Sequence, residues 1–196
     1  MALDWNAILV DQLDQLDQLD RHWRHQLRAR LEGLTDDEYL WEPVPDCWSV
    51  RPRGTGDFTI DWAFPEPVPA PVTTVARRLG HVLVGVLGAC SAAHFGGPPA
   101  DYMAYDYPGT AAEALDRLDA AYARWTAGVR SLGEEGLARP CGAAEGPYAE
   151  EPMARLVLHI HREVIHHGAE ISLLRDLYAH RPAQDPKPAG WLRGRV

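Results

Sequence analysis

Four stretches of this chain space their apolar residues as a helix does, and almost nothing between them alternates as a buried strand would. Such a chain is restricted to packed helices. The last stretch is the most telling. From about Pro152 to about Tyr178, Leu156, Ile160, Val164, Ile171, Leu174 and Tyr178 share one face. Pro152 suits the first turn of such a helix.

The first stretch runs from about Ile8 to Glu32, with Leu9, Leu13, Leu16, Trp23, Leu27 and Leu31 at near-helical spacing. It contains the run DQLDQLDQLD. A period of three drifts around a helix and builds no solenoid, so the run reads as one amphipathic helix with an acidic outer face. Gly33 is its expected C-cap. The second helix starts at Thr73 or Thr74 and reaches about Phe95, before Gly96-Gly97, with Gly80, Gly85, Gly88 and Ala89 allowing close packing. The third runs from about Thr110 to Leu132.

Between the first two helices lies Leu34 to Thr74, rich in Pro, Gly and Trp. Thr35 to Glu38 has the pattern of a capping box and predicts a short helical turn. The rest is long for a bundle connection and suits a segment that covers a face. Trp41, Trp48 and Trp62 are its anchors and its candidate pocket lid, and a short hairpin is expected around Phe58 to Trp62. The expected architecture is all-α: an up-down four-helix bundle of one domain over residues 1–196, with 181–196 as a surface tail.

A net charge of −9 argues against nucleic acid or an anionic membrane as partner, since both need a basic face. Arg77 and Arg78 leave an anionic small molecule open. Three scattered cysteines, no basic leader and no run of eighteen apolar residues make a cytoplasmic protein the expectation.

Chemistry concentrates in HIHREVIHH, which holds four of the nine histidines. Taking His159 as zero, Glu163 falls at about 40° and His167 at about 80°, on the edge of the apolar stripe, while His161 falls at about 200°. His159, His166 and Glu170 flank the stripe. A carboxylate facing a core is costly unless paired or metal-bound. An i,i+4 Glu and His can supply two ligands to one metal. His81, flanked by apolar residues in mid-helix, is the candidate third. Each feature also has a plainer reading, a hydrogen-bonded core histidine and a helix ion pair. Their joint occurrence favours a divalent metal held by His81, Glu163 and His167, with open positions for water or substrate. Zn²⁺, Ni²⁺ and Fe²⁺ all suit two imidazoles and a carboxylate.

At these residues the sequence resembles the DinB-like (DinB/YfiT) superfamily of metal-dependent enzymes. Members carry a histidine on the second helix, matched by His81, and a last-helix motif of a first histidine, a His-His pair and a closing Gln. Glu163, His166, His167 and Glu170 match that motif, with Glu163 in place of its first histidine and Glu170 in place of Gln. The segment PVPDCWSVRP is similar to the family's Trp-Ser-Val element. The resemblance implies a four-helix bundle, often a homodimer, with a three-ligand metal site. It also implies a metal-dependent S-transferase that joins a low-molecular-weight thiol such as mycothiol to a small electrophile. His159, His166 and Glu170 would then orient the ligands from outside. The alternatives are a hydrolase or isomerase using metal-bound water, or a non-catalytic metal- or ligand-binding protein.

Overall fold

The computed structural model describes residues 19–54 and 56–182. Most of the acidic repeat, the start of the first helix and nearly all of the expected surface tail lie outside the described residues.

The first helix covers 19–30 and buries Leu19, Trp23 and Leu27, with Leu31 just beyond its end. A four-residue spacing drifts by about 40° per step on an α-helix. A π-helical stretch, Trp23–Leu27, widens the turn and keeps that row facing inward. After the short helix Asp36–Tyr39, capped by the Thr35 hydroxyl accepting from the Glu38 amide, the chain enters the Trp- and Pro-rich segment.

That segment holds an antiparallel hairpin of Val50–Pro52 (β1) and Phe58–Ile60 (β2), in register Val50 to Ile60. The sequence predicts a hairpin at Phe58 to Trp62; its β2 strand instead ends at Ile60, because Asp61 turns its carboxylate back to the Ser49 amide. The Trp48 amide donates to the Val72 carbonyl and its carbonyl accepts from Thr74, which seats the segment at the start of the second helix.

The second helix, Val75–Phe95, begins with the Thr74 hydroxyl accepting from the Arg77 amide and ends at Gly96, whose φ is +66°. It is the one described helix long and apolar enough to cross a membrane. It contains no run of eighteen apolar residues, as expected, because Arg78 and His81 interrupt every window of that length. Its apolar residues are largely spent on the core, and 61% of the qualifying window is buried. The third helix is Ala111–Arg130, capped by Thr110; the last is Met153–Ala179.

The four share one apolar core. Trp23 stacks on Tyr122 with ring centroids 3.8 Å apart, joining the first and third helices. Phe95 meets Trp125 edge-on at 5.5 Å, joining the second and third. Leu27 packs where Gly168 has no side chain, joining the first and last. Arg175 of the last helix binds both oxygens of buried Glu38, at 2.7 and 3.1 Å, and fastens the short helix down. The fold is thus mostly helical with one small hairpin.

Candidate metal centre

The second and last helices meet in a ladder of side chains. Arg78 Nη2 lies 3.1 Å from Oε1 of Glu170. Three residues on, the ring of His81 stands at 90° to that of His167, with centroids 4.7 Å apart. Residue numbers rise along one helix as they fall along the other, so these helices run antiparallel here. Beyond that rung, Gly85 and Glu163 line a common cavity.

His81 is the first residue of a π-helical stretch, His81–Gly88, inside the second helix. Its ring folds back over Gly85, where an added Cβ would lie 3.0 Å from Nδ1 and 3.2 Å from Cε1. The small residue thus accommodates the helix's own histidine. Burial, then His167, Arg77 and Arg78, push the His81 pKa down to about 4. At neutral pH its imidazole is uncharged and keeps a lone pair for a Lewis acid. Tyr102 meets the same ring edge-on at 6.1 Å, and the Arg77 guanidinium lies 5.6 Å from both the Tyr102 and Trp48 rings.

His167 is buried. Its Nδ1 lies 2.6 Å from Oε2 of Glu170 and its Nε2 lies 3.5 Å from Oε2 of Glu163. Glu163 is half-buried, with its other oxygen 3.6 Å from both His159 Nδ1 and Arg162 Nη2. His159 stands at the cavity mouth with Arg162 donating to it. His166 is exposed, its Nε2 3.7 Å from Oε1 of Glu170.

Two donor groups share His167. His166, His167 and Glu170 each offer a ligand atom within 4.8 Å of the others. His81 comes from the second helix and Glu163 and His167 from the last; the His81 and His167 rings lie 4.7 Å apart and Glu163 lies 3.5 Å from His167, while among the described residues it is the first group whose three ligand atoms all lie within 4.8 Å of one another. In the first group Glu170 already serves Arg78 and His167 Nδ1, and His166 faces solvent. Of the second, His81 and Glu163, but not His167, line a cavity of about 370 Å³, walled by Gly85, Ala89 and Ala93 and reaching Cys90 and Glu145. Burial first, then Glu145 and Cys141, push the Cys90 thiol up to about 12, so it faces the cavity protonated.

None of the three tryptophans lines that cavity. Trp41 packs edge-on against Tyr178, Trp62 stacks on Phe64 and is half-exposed, and Trp48 reaches the site only through Arg77. Sequence reasoning did not single out Tyr102, which sits in a segment without periodicity. His94, near the end of the second helix, brings its Nε2 to 2.7 Å from Oε1 of Glu145. His161, at about 200° around the helix from His159, is buried: the first helix covers that side and lines a cavity with it through Leu19, His22 and Gln26.

Fold and donors together define a mostly helical protein with a histidine and carboxylate group suited to a metal ion. The model of the DinB superfamily matches residues 18–171, and the chain belongs to that superfamily. No curated protein and no solved structure matches it.

Proposed function

We propose that His81, Glu163 and His167 hold a divalent cation, and that the protein is a metal-dependent S-transferase joining a small thiol such as mycothiol to an electrophilic substrate. The observation that carries the reading is the meeting of His81 and His167 across the helix interface, with Glu163 3.5 Å from His167 and lining the same cavity as His81. The donor set fits: two imidazoles, one of them kept neutral by burial, and a carboxylate. Zinc, nickel and iron(II) all accept such donors.

When bound, the cation supplies positive charge that lowers the pKa of a thiol in the cavity. The remaining work falls to the chain. Gly85, Ala89 and Ala93 leave room for the substrate, and His159, which lines the same cavity, offers a hydrogen bond to its polar end. His166 and Glu170 support the ligands from outside. The carboxylate of Glu163 favours a second reading, a hydrolase or isomerase that activates water, because oxygen donors suit a harder cation.

The up-down bundle belongs to the same proposal, as do a cytoplasmic location and a homodimer. Leu158, Ile165, Leu173 and Leu177 form an exposed apolar row on the last helix that supports the dimer.

The test is metal content after purification without added metal, followed by turnover of monochlorobimane with mycothiol, bacillithiol or glutathione. Stoichiometric metal that falls in His81→Ala and Glu163→Ala, with thiol-dependent turnover, supports the proposal. Metal-dependent turnover without thiol supports the second reading. Substoichiometric metal in all three proteins removes both.

A further inference from the structure

We propose that Arg78 is a positioning residue for His167, acting through Glu170. The inference rests on the metal centre proposed above, but not on the reaction assigned to it.

Arg78 and His81 stand three residues apart on the second helix, as His167 and Glu170 do on the last. Glu170 is therefore the middle of a relay: Arg78 holds Oε1 at 3.1 Å while Oε2 sits 2.6 Å from Nδ1 of His167. A carboxylate on one ring nitrogen of a histidine fixes the proton there and leaves the other as donor to a metal. Here the nitrogen left over is Nε2, which faces Glu163 at 3.5 Å.

Glu170 has a competing partner. His166 Nε2 lies 3.7 Å from the oxygen that Arg78 holds, on the exposed side of the helix. Arg78 comes from the buried side of the interface and is itself only a quarter exposed. Its charge draws Glu170 inward, away from His166. Without it, Glu170 is free to turn to His166 and leave Nδ1 of His167 without a carboxylate. Glu170 stands where the resembled motif has Gln, so a cation opposite it also offsets the added negative charge.

Zinc affinity by chelator competition and ¹⁵N spectra of the histidine rings test this. In the zinc-loaded protein, His167 should coordinate through Nε2 and keep its proton on Nδ1. Arg78→Gln should weaken zinc about 10- to 100-fold, as loss of an outer partner does, and Arg78→Lys should recover most of it. In a Glu170→Gln background, whose amide needs no counter-charge, Arg78→Gln should change affinity less than about twofold. A merely structural arginine would cost the same in both backgrounds. That result, coordination through Nδ1, or unchanged affinity in Arg78→Gln would overturn the inference. Circular dichroism screens each variant for folding, and the lysine variant carries the test if the glutamine variant misfolds.

If His81→Ala binds zinc as tightly as the native chain, the proposed centre fails on its own account. The zinc-free protein then still decides the relay. Faster exchange of the His167 Nδ1 proton in Arg78→Gln supports it, and unchanged exchange overturns it.

Discussion

His81 meets His167 edge to face, with ring centroids 4.7 Å apart and planes at 90°. The two residues are far apart in the chain, and the contact depends on a π-helical turn that begins at His81 and on Gly85 beneath its ring. A π turn inside an α-helix shifts the residues beyond it around the axis, and such turns gather at functional positions.

Gly85→Ala should therefore damage the site without unfolding the helix. Its Cβ would meet Nδ1 of His81 at 3.0 Å and Cε2 of Tyr102 at 3.3 Å, so the imidazole must give way. Alanine favours the helix by up to about 1 kcal/mol, which offsets the crowding in overall stability. The expected outcome is zinc affinity at least about tenfold weaker, as for displaced ligands, with a melting temperature close to the native value. Unchanged affinity would show that His81 does not ligate from this position.

Stability of the metal-free chain should fall with acid between about pH 6.5 and pH 4. Burial pushes His161 down to about 4, and His81 likewise, with His167, Arg77 and Arg78 adding to the effect there. The unfolded chain binds protons at these rings before the folded one does. Their stabilisation is thus complete above about 6.5 and is lost as pH falls toward 4. His161 alone accounts for about 2–3 kcal/mol. Urea midpoints at pH 7.5, 5.5 and 4.5 should show a shallower fall in His161→Leu. Equal slopes in the two proteins would contradict the assignment.

The Arg175 and Glu38 pair should be worth far more than a surface ion pair. Glu38 is 6% exposed and Arg175 binds both of its oxygens. Arg175→Met strands a buried carboxylate and should cost about 3–5 kcal/mol, whereas adding Glu38→Leu should recover most of it. Chemical denaturation of the single and double variants measures the difference. A double variant no more stable than the single one would refute this account.

Gly128→Ala should destabilise by overpacking. Its Cβ would lie 2.4 Å from ring atoms of Phe95, between the second and third helices. The cost should be about 1–3 kcal/mol, relieved by Phe95→Leu in the same chain. Thermal melts of the two variants decide it, and a Gly128→Ala protein as stable as the native one would place Phe95 elsewhere.

Much of the fold was legible in the chain itself. Thr35, Thr74 and Thr110 each cap a helix, as a capping-box pattern at Thr35 and apolar-periodic runs after Thr74 and Thr110 suggest, and Gly96 closes the second helix in a left-handed conformation. The i,i+4 spacing of Glu163 and His167 puts both on one side of the last helix whatever its neighbours. These are local properties, set by backbone geometry and by which residues bury apolar surface.

What the sequence by itself determined was therefore the helices, their ends, and which face of the last one carries Glu163 and His167. Tertiary structure alone decided that His81 meets His167, that Arg78 meets Glu170, that Tyr102 flanks the ring, and that His161 is buried. Helical periodicity fixes the angle of a side chain about its own axis. It says nothing of the register between two helices or of which neighbour covers a flank. Those follow from packing across the whole core, where Gly85, Gly168 and the π turns set how closely and at what rotation the helices meet.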